Sequence, residues 1–243
     1  MSGPRGACVG LGAFWAALVV VWGQPAGEPV DYAARRQIMV REQLVARGIK
    51  DPQVLAAMGR VPRELFVPPG QEPFAYEDRP LPIGHGQTIS QPYIVALMTE
   101  LLAPGKRDRV LEVGTGSGYQ AAVLGRLAGK VFSLEIVPEL ARTAALLLRA
   151  EGFRNVQVRE GDGYKGWVAF APYDRILLTA APPEIPAALV AQLRPGGRLV
   201  APVGEQTQRL VVVDKSLDGR TQTRSIIPVR FVPMVRGSGA GKE

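Results

Sequence analysis

The chain has 243 residues, of which 47% are hydrophobic and 21% charged, with 28 Gly and 21 Pro, close to ordinary globular usage. This composition excludes a disordered or fibrous protein, and the length suits one α/β domain with a terminal extension. The net charge of +7 arises from 29 Lys and Arg against 22 Asp and Glu, without a long basic run. It does not indicate a dedicated nucleic-acid-binding protein, so we expect no nucleic-acid partner.

Cysteine and histidine are nearly missing from the sequence. Cys8 is the only cysteine and His85 the only histidine. An intrachain disulfide, a cysteine zinc site and a histidine-rich metal centre are therefore excluded, and no bound metal is expected.

The amino terminus differs from the rest of the chain. Residues 7–23 form an uncharged apolar run behind Arg5, typical of an export signal or a membrane anchor. The run is shorter than the roughly 20 residues that span a bilayer, which favours export, whereas the arginines after it favour retention in the cytoplasm. A buried core helix is the third alternative. We expect a cytoplasmic protein, with export or membrane anchoring through this run as the alternative.

These features predict three regions. Residues 1–30 hold the apolar segment and a Pro- and Gly-containing linker, residues 31–236 form the folded domain, and residues 237–243 form a flexible tail. The domain begins with helices. Asp51-Pro52 is a good helix start, with Gly59 placed to end that helix, and after a proline-rich loop a second helix is predicted from Pro92 to Leu102.

An alternation of strands and helices follows. Short apolar strands are predicted at 109–113, 130–135, 155–160 and 174–179. Helices are predicted to begin near Tyr119, to run past Leu140 to Gly152, and to run from Ile185 to Leu193 before a turn at Gly196-Gly197 and a strand at 198–203. This alternation indicates a parallel sheet. The last strands, at 209–214 and 225–235, have no helix between them and are expected to be antiparallel.

The first chemical motif is the glycine loop after the strand at 109–113. Gly114, Gly116 and Gly118 let the backbone approach a ligand closely. The third position of a GxGxxG dinucleotide pattern is Tyr119 here, which disfavours a hydride-transfer cofactor. Taken alone, the loop leaves open the alternative of a tight turn that binds no ligand.

Acidic residues at the next strand ends strengthen the case for a ligand. Glu135 ends the second strand, where a carboxylate can accept hydrogen bonds from ribose hydroxyls, and Asp162 follows the third strand between two glycines. Together they predict a nucleoside site at one edge of the sheet. The alternative assigns Glu135 to helix capping and Asp162 to a turn.

Longer motifs carry a family resemblance. They are LPIGHGQTISQPYIVALMTELL at 81–102, then VLEVGTGSGYQAAVL, GDGYKGW, TAAPPEIPAALVAQL, GGRLVAPVG and PVRFVPMV. With them, about residues 32–236 resemble the protein-L-isoaspartate O-methyltransferases, which belong to the class I methyltransferases that use S-adenosyl-L-methionine (AdoMet). The resemblance implies a Rossmann-like fold with a mostly parallel, doubly wound sheet and an antiparallel carboxyl-terminal segment. It also implies methyl transfer from AdoMet to the free α-carboxylate of L-isoaspartyl residues in damaged proteins and peptides, the first step of their repair.

The resemblance also implies site residues. It implies that Ser90 is the catalytic residue, with a hydroxyl that positions the substrate carboxylate, whereas the residues alone favour Ser90 as a helix N-cap. Substrate contacts are implied for Thr88, Ile89, Ser90, Val232 and Pro233. Cofactor contacts are implied for Gln87, Thr88, Ile89, Ser90, Glu112, Gly114, Thr115, Gly116, Ser117, Gly118, Glu135, Asp162 and Gly163.

The chemistry agrees with the absence of a catalytic triad. An isoaspartyl carboxyl has a reference pKa near 4, so it is already ionised at neutral pH and needs no general base. Two other functions stay open at this point: a methyltransferase of a small molecule, and an AdoMet-binding interaction module without turnover. Isoaspartyl proteins and peptides are the expected partners, the chain is expected to be a monomer, and membrane contact is expected only through residues 7–23.

Overall fold

The computed structural model describes residues 1–3 and 30–237. The apolar run at 7–23, and most of the predicted linker and tail, lie outside the described residues, so those assignments stay predictions. All helices and strands given below belong to the compact unit Asp31–Glu243. Among the described residues, no helix is long and apolar enough to cross a membrane.

Helices open the described domain. Helix α1 spans Tyr32–Ile38 and continues into a short π-helix and a 3₁₀ turn, and helix α2 spans Pro52–Arg60. Asp51 caps α2 as predicted, since its side chain accepts hydrogen bonds from two backbone N–H groups of the first turn. The predicted end at Gly59 is wrong by one residue, because the extended backbone begins only at Val61.

A two-stranded hairpin precedes the second predicted helix. Strand β1 (Leu81–Gly84) pairs antiparallel with strand β2 (Gln87–Ile89), and His85 lies exposed in the turn between them with a φ of 52°. Helix α3 spans Pro92–Leu102, with the predicted bounds. The hairpin brings the GQTIS motif to the sheet.

Seven strands form the central sheet in the order β5-β4-β3-β6-β7-β8-β9. The strands β3 to β7 run parallel, whereas β8 and β9 are antiparallel. The predicted fold, a mostly parallel, doubly wound sheet with an antiparallel carboxyl-terminal segment, is confirmed. The strand bounds are β3 Arg109–Val113, β4 Lys130–Glu135, β5 Val156–Glu160, β6 Tyr173–Leu178, β7 Leu193–Val203, β8 Gln208–Lys215 and β9 Thr221–Val229.

Helices connect the parallel strands: α4 (Tyr119–Leu127), α5 (Pro138–Ala150) and α6 (Ala187–Gln192). Two predicted strands near the carboxyl end have wrong bounds. Strand β7 already begins at Leu193, so the Gly196-Gly197 pair forms an irregularity inside the strand instead of a turn before it. Strand β9 begins at Thr221, four residues before the predicted start, and it ends at Val229 because the following chain leaves the sheet and pairs beside Ala181.

Both faces of the central strands are buried. Leu111 and Val113 of β3 pack with Trp167 and α6 on one face, whereas Val110 packs against α3 and α4 on the other. This double burial explains the continuous apolar strands. The chain builds the sheet outward from β3 through β5 and then returns to β6, so the crevice at the carboxyl ends of β3 and β6 is where ligands of open α/β sheets bind.

Candidate active site

The glycine loop joins β3 to α4 at this edge of the sheet. Gly114 and Gly116 have φ angles of 97° and 54°, and both line a cleft. The Gly114 N–H donates to the Leu134 carbonyl at 2.7 Å, which ties the loop to β4. A Cβ atom at Gly114 would lie 2.3 Å from Thr179 Oγ1, so only glycine lets the loop pass this close to the end of β6.

Gly118, predicted to contact the cofactor, does not line the cleft. Its φ is 90°, and a Cβ atom there would lie 3.2 Å from Leu148 Cδ1 and 3.3 Å from Ala144 Cβ. Both neighbours belong to α5. The geometry therefore gives Gly118 a packing role, in which its small size lets α4 begin against α5.

Glu135 ends β4 inside the cleft and is 5% exposed. Its Oε2 accepts the Gly116 N–H at 2.7 Å, and its Oε1 accepts the Val137 N–H at 3.0 Å. The carboxylate therefore holds the glycine loop against β4 while it faces the cleft. The structure supports part of the capping alternative, because Val137 immediately precedes α5.

Glu112 lies beneath the loop instead of in the cleft. Its carboxyl is fully buried and Oε2 accepts a hydrogen bond from Ser133 Oγ, which lies 2.5 Å from Thr115 Oγ1. Within the described part of the chain, Oε1 has no hydrogen-bond partner. Burial raises the pKa of Glu112 to about 8; the Ser133 hydrogen bond opposes this rise and the charge of Glu135 adds to it. Glu112 is thus mainly a neutral acid at pH 7, one that supports Thr115 from below.

The segment after β5 reaches the cleft through its glycines. Gly161 and Gly163 line it, whereas Asp162 does not. The Asp162 Oδ1 accepts the Tyr164 N–H at 2.9 Å, as in the turn alternative considered for this residue. A Cβ atom at Gly163 would lie 2.2 Å from Val113 Cγ1, so this glycine is required for close packing against β3.

The GQTIS motif forms the opposite wall. The whole stretch from Gln87 to Ser90 lines the cleft. The residue that precedes α3 is Gln91, and no side-chain capping bond is present there, so the alternative of Ser90 as N-cap is wrong. The Ser90 hydroxyl is therefore available for a different role, while the Ser90 carbonyl accepts a hydrogen bond from Arg63 at 2.7 Å.

The carboxyl-terminal segment closes the site. After β9 the chain passes the end of β6, where the Ala181 N–H donates to the Val232 carbonyl at 2.9 Å and the Met234 N–H donates to the Ala181 carbonyl at 2.8 Å. This pairing brings Val232 and Pro233 to the rim of the cleft.

One cleft thus collects most of the predicted residues. It encloses about 880 Å³, including the space open to solvent at its mouth. All predicted site residues except Glu112, Gly118 and Asp162 line it: Gln87, Thr88, Ile89, Ser90, Gly114, Thr115, Gly116, Ser117, Glu135, Gly163, Val232 and Pro233. Within residues 30–237, no group of three or more His, Cys, Asp or Glu side chains could hold a metal ion.

A second groove adjoins the cleft. Thr88, Ser90, Thr179, Val232 and Pro233 line both of them. The charged side chains on the groove are Arg47 and Arg230, which we call the groove arginines. The first of them stacks on Tyr93 of α3, 3.5 Å from the ring centre, and pairs with Asp78.

Comparison with known proteins decides the family. The family model described as protein-L-isoaspartate(D-aspartate) O-methyltransferase matches residues 34–239. The chain belongs to this family. The resemblance predicted from the motifs is confirmed. A protein-L-isoaspartate O-methyltransferase of Synechococcus sp. is 54% identical over 220 residues, covering 87% of this chain and 90% of the relative. Protein-L-isoaspartate O-methyltransferase 1 of Cupriavidus necator is 59% identical over 187 residues, covering 76% of this chain and 72% of that protein.

Solved structures of the same family share the fold. One protein-L-isoaspartate O-methyltransferase matches with a TM-score of 0.75 at 31% identity, over 82% of this chain and 65% of that chain. A family structure from Plasmodium falciparum, in complex with S-adenosyl-L-homocysteine, matches with a TM-score of 0.71 at 26% identity, over 82% of this chain and 98% of that one.

The methyltransferase cleft also contains residues that the sequence did not single out. Ile136 and Val137 line it directly after Glu135, and Thr179 and Met234 line it from the other side. The sequence contains a signal that could have identified them as site residues. Ile136 and Val137 directly follow Glu135, and Thr179 and Met234 lie in the family motifs TAAPPEIP and PVRFVPMV.

Proposed function

We propose that this chain transfers the methyl group of AdoMet to the free α-carboxylate of L-isoaspartyl residues in damaged proteins and peptides. The observation that carries this function is the junction of cleft and groove at Ser90. A polypeptide can lie along the groove while one carboxylate reaches into the cleft. A small molecule would need only the cleft, so the groove favours a peptide substrate.

The residues of the cleft fit AdoMet. Each oxygen of Glu135 accepts one backbone N–H, and a carboxylate oxygen has a further lone pair that can accept from a ribose hydroxyl. Ile136 and Val137 offer an apolar wall for an adenine ring. A family structure holds S-adenosyl-L-homocysteine, which is AdoMet without its methyl group. When bound, AdoMet supplies an activated methyl group on a positively charged sulfur.

The contribution of the chain to the reaction is positioning. The substrate carboxylate is ionised at neutral pH, so no side chain has to remove a proton from it. The Ser90 hydroxyl donates a hydrogen bond to one carboxylate oxygen, which leaves the other oxygen directed into the cleft. Ile89 and Val95 give the cleft a buried apolar wall beside Ser90, and an apolar wall strengthens the attraction between the carboxylate and a cation.

The test uses the full-length chain and a pair of peptides that differ only in one linkage. Labelled methyl from AdoMet is expected on the isoaspartyl peptide and not on its aspartyl counterpart. Ser90→Ala is the matched variant and is expected to lose most of the labelling. Binding of S-adenosyl-L-homocysteine without any labelling would support the interaction module instead, and labelling confined to small molecules would support the other alternative.

We also propose that the chain acts as a monomer in the cytoplasm, where AdoMet is made, without a nucleic-acid partner and with membrane contact confined to residues 7–23. The family match begins at residue 34, which supports a catalytic domain over residues 31–236. Deleting residues 1–30 is therefore expected to preserve specific activity. The molar mass in solution, measured by light scattering, tests whether the chain is a monomer. Mass spectrometry of the mature amino terminus tests the location, and a cut between Gly23 and Gly27 would indicate export.

A further inference from the structure

A buried cation lies between the first helices and the cleft. Arg63 begins a 3₁₀ helix, Arg63–Phe66, and its side chain is 0% exposed. Arginine is almost never fully buried unless it is paired. Among residues 30–237 no ion pair involves Arg63. Burial lowers the pKa of its guanidinium, so the charge is kept there at a cost.

The guanidinium bridges two carbonyls that are distant in sequence. Its Nε donates to the Ala75 carbonyl at 2.7 Å, and its Nη2 donates to the Ser90 carbonyl at 2.7 Å. Its Cζ lies 4.7 Å from the centre of the Tyr119 ring. Ser90 and Tyr119 both line the cleft. Because the guanidinium is planar and rigid, it fixes the spacing and direction of the two carbonyls.

Ser90 needs such a contact because no regular element holds it. Strand β2 ends at Ile89 and α3 begins only at Pro92. The direction of the Ser90 carbonyl is coupled to that of its peptide plane, and the peptide plane helps to set where the Cβ and the hydroxyl point. The bond from Arg63 therefore constrains the one hydroxyl to which the proposed function gives a catalytic role.

We propose that Arg63 is a positioning residue for methyl transfer, because it holds the Ser90 carbonyl and thereby sets the direction of the Ser90 hydroxyl in the cleft. The inference rests on the proposed function, since the group that Ser90 orients is the isoaspartyl carboxylate. Arg63 does not line the cleft but contacts two residues that do, Ser90 and Tyr119, and we assign its effect on methyl transfer to the hydrogen bond with Ser90.

A purely structural purpose explains this residue less well. Within the described part of the chain, Arg63 Nη1 has no hydrogen-bond partner. An apolar side chain of similar size could fill the same space, so packing alone does not require a guanidinium here. Two placed hydrogen bonds beside the cleft do require one.

The test is a comparison of two lysine variants in the full-length chain. Arg63→Lys keeps the charge but cannot bridge both carbonyls in a fixed plane. The matched control is Arg36→Lys, because Arg36 is a partly buried arginine of the same region that pairs with Glu64 and does not line the cleft. Arg63→Lys is expected to lower kcat for an isoaspartyl peptide by about tenfold to a hundredfold, while KM for AdoMet changes by less than about threefold. The control is expected to change kcat by less than about twofold.

A double-mutant cycle separates positioning from general damage. If Arg63 acts through the hydroxyl, Arg63→Lys loses most of its effect on kcat when Ser90→Ala has already removed that hydroxyl. An equal loss in both backgrounds would overturn the proposal. So would a wild-type kcat in folded Arg63→Lys.

Folding is checked by near-ultraviolet circular dichroism at the assay temperature. If Arg63→Lys does not fold, Arg63→Gln replaces it in the cycle, and failure of both to fold would overturn the proposal by assigning the residue to the fold. A wild-type chain that does not methylate isoaspartyl peptides would instead overturn the proposed function. The two failures are therefore distinguishable.

Discussion

The buried acid beneath the glycine loop makes the stability of this protein depend on pH. In the folded state burial raises the pKa of Glu112 to about 8, whereas an unfolded glutamate titrates at about 4.3. Between these values the folded state binds one proton more than the unfolded state. The proton on Glu112 therefore makes its full contribution to the free energy of unfolding below about pH 4. As the pH rises from there to about 8, this contribution falls by about 1.4 kcal/mol per pH unit.

Glu112→Gln removes this dependence. The amide has nearly the same shape as the acid, can still bond to Ser133 and is neutral at every pH. The free energy of unfolding of the variant, relative to wild type, is therefore expected to rise by about 1.4 kcal/mol per pH unit, or about 4 kcal/mol from pH 5 to pH 8. Any difference in packing between the amide and the acid shifts the free energy of unfolding by the same amount at every pH, so it does not change this slope.

Urea unfolding at pH 5, 6, 7 and 8, extrapolated to water, measures the slope. Glu160→Gln is the matched control, because Glu160 is an exposed carboxylate at the end of the neighbouring strand β5. The control is expected to follow the wild-type curve. If the free energies of unfolding of wild type and Glu112→Gln change in parallel over this pH range, Glu112 is not a buried neutral acid and the reasoning fails.

Three further predictions concern the cleft and the groove. Ser90→Ala is expected to lower kcat/KM for an isoaspartyl peptide by about tenfold to a thousandfold with little change in Tm, since Ser90 caps no helix; a lower Tm with the wild-type rate would contradict this. Gly114→Ala is expected to unfold more easily by on the order of 1–3 kcal/mol and to bind S-adenosyl-L-homocysteine poorly, because its Cβ would meet Thr179 Oγ1 at 2.3 Å. Gly152→Ala, with a φ of 79° and nothing within 4 Å of the added Cβ, is the control for backbone strain, and equal effects in calorimetry would refute the clash. The charged residues that line the groove are the groove arginines. An isoaspartyl peptide with an acidic residue beside the isoaspartyl site is therefore expected to show a lower KM than the same peptide with a lysine there, and added salt should reduce the difference. Equal KM values would argue against an electrostatic role of the groove arginines.

The central parallel strands β3, β4 and β6 were predictable because burial on both faces gives continuous apolar runs. Strands β3 and β4 have the predicted bounds. The hairpin β1–β2 was not predictable in the same way, because its strands have only four and three residues and one of them contains Pro82. Strand β9 lies at the sheet edge with mostly exposed side chains, so its apolar pattern does not show where pairing stops.

Site residues at strand ends were predictable for a topological reason, since parallel strands present their carboxyl ends at one edge. The three that miss the cleft do so for local reasons. Glu112 alternates with Leu111 and Val113 along β3 and therefore points to the other face of the sheet. Gly118 lies at the packing contact between α4 and α5. The side chain of Asp162 accepts a hydrogen bond within the turn that it belongs to. The contact of Arg63 with Ser90 could not be predicted from the sequence, because this hydrogen bond joins residues 27 positions apart and no local pattern indicates it.

These observations separate the pH dependence of folding from that of catalysis. The substrate carboxylate is ionised throughout the neutral range, and the Ser90 hydroxyl acts as a donor without changing its protonation state. Folded Glu112 keeps its proton until about pH 8, so below that pH stability falls because unfolding releases the proton, while the charge of the folded site stays the same. We therefore expect kcat to be flat between pH 6 and 7.5 in folded protein, while the free energy of unfolding falls across the same range. A bell-shaped kcat profile centred in this interval would show that an acid or base does participate, and it would refute a mechanism that depends on positioning alone.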